Sequence, residues 1–131
     1  MTHHFRHVQL PNAPDTIAPD GSEVRVLGKL THGSLAHFTL APGQISKPVK
    51  HQTVEEMWYV IGGTGQMWVR QAESEQIVNL CQGTALCIPV GTHFQFRCDS
   101  VEPLVAVGVT MPPWPGMDEA IIVKGIWHPR A

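Results

Sequence analysis

Twelve glycines and eleven prolines among 131 residues break this chain at short intervals. That punctuation constrains the fold more than any other feature. Proline breaks the interior of a helix and glycine weakens it, so few stretches are left in which a helix could run. Short strands joined by turns suit the spacing. Ser34–Leu40 alternates, with Ala36, Phe38 and Leu40 on one face and His37 and Thr39 on the other, and it ends at Ala41-Pro42-Gly43. Met57–Ile61 is strand-like and stops at Gly62-Gly63-Thr64-Gly65. Gln66–Arg70 alternates again, so the two are predicted to form a hairpin. Gln76–Leu80 and Thr84–Ile88 follow, the latter closed by Pro89-Val90-Gly91. Phe94 and Phe96 then share a face opposite His93, Gln95 and Arg97, and Leu104–Thr110 reads as a buried strand. Only Asp118–Val123 could hold a turn or two of helix. About eight short strands at regular spacing predict an all-β antiparallel sandwich or barrel. The organisation expected is an N-terminal arm over residues 1–23, a barrel over 24–111 and a Pro/Trp-rich C-terminal arm over 112–131 that packs on or caps the barrel.

The remaining composition narrows the function classes. A net charge of −2 without a Lys/Arg block offers no basic footprint for nucleic acid. No apolar run approaches membrane-spanning length. The N-terminus has no apolar core of the signal-peptide kind, so a cytoplasmic protein is expected. Cys81, Cys87 and Cys98 are odd in number and form no CxxC pair. They predict neither a disulfide framework nor a zinc knuckle, but small buried hydrophobes.

The segment KPVKHQTVEEMWYVIGGTG, Lys47 to Gly65, resembles the first motif of the cupins, Gly-x5-His-x-His-x(3 or 4)-Glu-x6-Gly. Gly43 starts it and His51 takes the second histidine position. Glu56 with Gly63 fits the longer spacing and Glu55 with Gly62 the shorter. Tyr59-Val60-Ile61-Gly62-Gly63 is similar to the family's Tyr-Val-Leu-x-Gly, which favours Glu56. The second motif, Gly-x5-Pro-x-Gly-x2-His-x3-Asn, is matched by Gly83, Pro89 and Gly91. The resemblance spans Val24 to Met111. It implies a cupin-type double-stranded β-helix, an antiparallel jelly-roll barrel of the small single-domain, RmlC-like kind.

The same alignment implies a degenerate metal-binding motif. Val49 stands at the first histidine position, Phe94 at the histidine of the second motif and Cys98 at its asparagine. A hydrocarbon side chain offers a metal no lone pair, and two protein ligands are fewer than a catalytic site normally supplies. His93 is one residue early and faces outward unless a bulge after Gly91 turns it in. No cofactor is therefore expected, the alternative being one divalent metal such as Fe, Mn, Ni or Zn completed by His93, water or substrate.

The candidate catalytic residues are His51 and Glu56. Burial should raise the carboxyl pKa, and a neighbouring carboxylate should raise that of His51. Val49, Trp58, Met67, Phe94 and Phe96 are expected to line the cavity as substrate-binding residues. Parity puts Trp68 on the outer face, as a dimer contact or beneath a docked tail, and turns His37 to solvent or a partner. Trp114, between prolines, could close the pocket. Lys47 and Lys50 could draw an anion to its mouth. His3, His4 and His7 could chelate a stray metal.

Three functions follow from the resemblance. One is a small-molecule-binding cupin, conceivably a metal-independent isomerase or epimerase. Another is a metal-dependent dioxygenase or phosphomannose-isomerase-like protein. The third is a non-catalytic dimeric sensor or interaction module. The partners expected are a small-molecule ligand and a second copy in a homodimer, with no nucleic acid and no membrane.

Overall fold

A computed structural model describes residues 4–131; His3 lies outside them. Among the described residues eleven strands run in chain order: β1 Thr16–Ile17, β2 Glu23–Lys29, β3 Ser34–Leu40, β4 Val49–His51, β5 Glu55–Gly62, β6 Gly65–Gln71, β7 Ser74–Leu80, β8 Ala85–Ile88, β9 His93–Cys98, β10 Leu104–Met111 and β11 Ala120–Ile122. They form two sheets, ordered β1-β2-β3-β10-β5-β8 and β11-β4-β9-β6-β7. Every pairing is antiparallel.

Period-two alternation decides what faces the interior. On β5, Glu56, Trp58 and Val60 are buried while Glu55, Met57, Tyr59 and Ile61 are exposed. On β10, Leu104, Ala106, Gly108 and Thr110 point inward, and the valines between them point out half-buried. The inward residues of both sheets meet in one core, in which Phe94, Phe96, Met67, Leu40 and Val60 are almost wholly enclosed. Gly108 lies on its cross-strand neighbour Trp58. A Cβ there would come within 2.7 Å of Phe38 and 3.2 Å of Trp58, so the stacked Phe38–Trp58 pair, 5.3 Å between centroids, has room only over glycine.

Several expectations are corrected. β5 and β6 are not a hairpin: β5 pairs with β10 and β8, β6 with β9 and β7, and the turn between them carries the chain from one sheet to the other. Packing decides this. Gly63 adopts φ 73° against the Pro103 carbonyl, and a side chain on Gly65 would collide with the Arg97 carbonyl. The Asp118–Val123 segment holds one 3-10 turn, Met117–Glu119, and then becomes β11. Cys81 and Cys87 are exposed; only Cys98 is buried, and all three are free thiols.

Trp68 is on the outer face but covered, 3% exposed, with Nε1 donating to Glu75 Oε1 at 2.8 Å. Its cross-strand neighbour Gln95 shows what lies on this face. Gln95 Nε2 donates to the carbonyls of Ser46 and Trp127, and its Oε1 accepts from the Ile126 and Trp127 amides, so the C-terminal tail is tied there. His37 is likewise buried rather than turned to solvent. Its cross-strand neighbour Arg25 holds the N-terminal arm through the carbonyls of Pro11 and Asn12.

Candidate functional site

Between the sheets, and closed by both arms, is a cavity of about 180 Å³. Its walls carry Val49 and His51 from β4, Glu56 and Trp58 from β5, Phe94 from β9, Phe38 from β3 and Thr110 from β10. Asp20 comes from the N-terminal arm, and Trp114, Met117 and Ala120 from the C-terminal one. Of the predicted lining, Val49, Trp58 and Phe94 are in place. Met67 and Phe96 are not on the wall. Both lie in the core behind it, where Phe96 supports Trp58 edge-on at 5.0 Å between centroids. Glu56, not Glu55, faces the cavity, because Glu55 has the exposed parity of β5.

His51 and Glu56 meet inside it. Nδ1 stands 3.5 Å from Oε1, with the side chains 7% and 4% exposed. No hydrogen bond forms across that gap, and His51 Nδ1 has no other partner. Aromatic edges hold the imidazole: the ring centroids of Phe94 and Trp114 lie 5.4 and 5.1 Å from its own. Burial lifts the Glu56 carboxyl to about 8; the N–H of the nearby Trp58 indole opposes this, and the Asp20 carboxyl adds to it. Burial also lowers the pKa of His51, only partly offset by the charge of Glu119. The rise expected for His51 is thus overturned, because desolvation outweighs the carboxylate near it. At neutral pH the pair is an uncharged acid beside an uncharged base.

Glu119, in the 3-10 turn, secures the C-terminal wall. Its carboxylate accepts from Thr53 N at 2.7 Å, Thr53 Oγ1 at 2.6 Å and Val54 N at 2.9 Å. Burial works against its charge, but these hydrogen bonds, with His51 nearby, hold its carboxyl below the ordinary range. β11 extends the contact by pairing Ala120 with His51, and the Trp114 amide donates to Ser34 Oγ. Ser34 Oγ and Thr110 Oγ1 are themselves hydrogen-bonded.

Sequence reasoning missed Asp20, Phe38, Thr110 and Glu119. The motif Asp20-Gly21-Ser22 does signal a turn in which Asp20 Oδ1 accepts from Ser22 N and Oγ at 2.9 and 2.7 Å. Nothing local says that this turn closes a cavity. His93 keeps its outward parity opposite Arg70, and neither it, Lys47 nor Lys50 lines the pocket.

A metal needs more donors than this wall offers. Val49 and Phe94 face each other across β4 and β9 in register, and both are hydrocarbon. Among the described residues no group of three His, Cys, Asp or Glu could hold an ion. The donor set does not fit a metal.

The two facing sheets and the cavity between them define an all-β double-stranded β-helix. Residues 36–110, more than half of the chain, match the cupin domain, and the chain belongs to that family. It is similar in fold to an uncharacterized double-stranded β-helix protein of Klebsiella pneumoniae, at 16% identity and TM-score 0.65, covering 95% of this chain and 100% of that one. A protein of Bacillus halodurans matches at 20% identity and TM-score 0.65, over 78% and 76% of the two chains. One described as a candidate sugar phosphate isomerase, from Acidithiobacillus ferrooxidans, matches at 20% identity and TM-score 0.59, over 71% and 60%. A search of curated proteins returns no match.

Proposed function

We propose that this cupin binds a small molecule in its cavity and acts on it through His51 and Glu56 without a resident metal, as a metal-independent isomerase or epimerase would. One observation carries the reading. An acid and a base, both neutral at pH 7, stand 3.5 Å apart in a cavity whose other two motif positions are Val49 and Phe94. His51 Nδ1 accepts a proton from the carbon beside a carbonyl while Glu56 gives its own proton to the carbonyl oxygen. His51 then gives its proton to the former carbonyl carbon while Glu56 takes the proton of the hydroxyl on the neighbouring carbon, which yields the isomer and restores the pair. A neutral imidazole is free to accept, and a carboxyl with a pKa near 8 still holds the proton it must donate.

The test uses untagged protein. Metal analysis should find far less than one Fe, Mn, Ni or Zn per chain. A thermal-shift screen of small carbonyl compounds and sugars should give a reproducible hit that His51→Gln and Glu56→Gln both weaken. Near-stoichiometric metal that disappears in His51→Gln would overturn the metal-free reading. A screen without any hit dependent on His51 or Glu56 would overturn the pocket's role.

A further inference from the structure

We propose that the molecule bound in this cavity carries a small organic ammonium group, held by Asp20 within aromatic walls. This rests on the cavity being a ligand site, and goes beyond it by naming the ligand's charge.

The wall of the cavity is unusual in what it combines. Phe38, Trp58, Phe94 and Trp114 all line it, and ring faces attract a cation through their quadrupole. Two carboxyl groups, Asp20 and Glu56, open onto the same space. Among the described residues Lys29 is the one basic residue of the lining other than His51, and it is exposed. An anion would meet two carboxyl groups among apolar walls, whereas an ammonium would meet carboxyl oxygens and aromatic rings.

Asp20 is the carboxyl that hydrogen bonds already hold in place. Its Oδ1 already accepts from Ser22 N and Ser22 Oγ, while its Oδ2 accepts no hydrogen bond among the described residues. Glu56 faces His51 across 3.5 Å and keeps its proton for the reacting carbonyl oxygen. Burial outweighs the Ser22 hydrogen bonds and the charge of Lys47 and raises the Asp20 pKa, so among the described residues the carboxyl lacks a counter-charge in the cavity. The counter-charge missing next to Asp20 is what an ammonium ligand supplies. The unpartnered, 94% buried His51 supplies a further acceptor at Nδ1, and Trp58 Nε1 is free to donate to an oxygen on the same molecule. The cavity then has a binding end at Asp20 and a reacting end at His51 and Glu56.

Three probes of one shape and different charge test this by calorimetry at pH 7.5: benzylamine (as its ammonium ion), benzyl alcohol and benzoate. The ammonium should bind about tenfold or more tightly than the alcohol, the size expected of one charge-assisted hydrogen bond with a cation–π contact, and benzoate should bind most weakly. Asp20→Asn keeps an oxygen for Ser22, so the turn survives. It should cost the ammonium about tenfold and leave the alcohol within about twofold. Glu56→Gln should retain the preference for the ammonium. The assignment is overturned if the alcohol or benzoate binds as tightly as the ammonium, if Asp20→Asn keeps the preference, or if the preference follows Glu56 instead. Binding of the alcohol alone refutes the ammonium and leaves the ligand pocket standing. Binding of none of the three refutes the ammonium, and the pocket is then judged by the broader screen.

Discussion

Replacing Glu56 by glutamine should make the protein's stability less dependent on pH, by an amount the structure sets. The carboxyl moves from 4.5 when solvated to about 8 in the fold, chiefly because it is buried. Between those values the native state keeps a proton that the unfolded chain has released, so stability falls as pH rises and levels off above about 8. At ~1.4 kcal/mol per pH unit, the full swing comes to about 5 kcal/mol. That is a ceiling, since water drawn toward the ionised group relieves part of it, and a measured swing of about 2–5 kcal/mol is expected. His37, His51 and His93 all have lowered pKa values, and they act in the opposite sense: their contribution is lost as pH falls below 6.5. They are present in both proteins, so the difference between wild type and Glu56→Gln isolates the carboxyl. Urea denaturation at pH 5 to 9 measures it. The variant should gain on the wild type steadily up to pH 8 and run parallel beyond. A difference that stays constant within about 0.5 kcal/mol across the range would show that Glu56 titrates as a solvated carboxyl and would refute the buried acid.

Three further outcomes are expected. Gln95→Leu removes four hydrogen bonds that tie Ser46 to the C-terminal tail at Ile126 and Trp127, and should cost about 3 kcal/mol while exposing the tail to trypsin at Lys124 and Arg130; unchanged denaturation and cleavage would mean that the tail is not held there. Glu119→Gln removes the charge that strengthens the hydrogen bonds from Thr53 and Val54 and reverses the one with Thr53 Oγ1, and should cost about 2 kcal/mol at pH 7. In the wild type that contribution is lost as pH falls through the lowered Glu119 pKa, so the two urea midpoints should converge in acid. We also propose that the protein is a homodimer through the outer face of β5, where Met57, Tyr59 and Ile61 are 41–50% exposed. Sedimentation should show a dimer that Tyr59→Lys dissociates; a wild-type monomer at high concentration would refute it.

What the sequence alone determined was local. Turn residues at close spacing dictate short strands, and a period of two sends Glu56, Trp58, Phe94 and Phe96 inward and leaves Glu55 and His93 out, because adjacent strand residues must face opposite ways. The spacing of Gly43, His51, Glu56, Gly63, Gly83, Pro89 and Gly91 carried the family, since those turns fix the barrel's corners. Parity cannot say how far along the interior a side chain sits, and so Met67 and Phe96 were expected on the cavity wall but lie in the core. The tertiary structure decided everything that depends on distant segments meeting. Gly62 to Gly65 reads as a hairpin turn, yet it passes between sheets because Gly63 and Gly65 pack on Pro103 and Arg97, next to the strands β10 and β9 that pair with β5 and β6. Asp20 and Trp114, 94 residues apart in numbering, close one cavity because both arms fold back over it. The pKa shifts of His51 and Glu56 were decided there too. A pKa depends on how much water remains around a group, and that is a property of the closed pocket, not of the residues beside it in the chain.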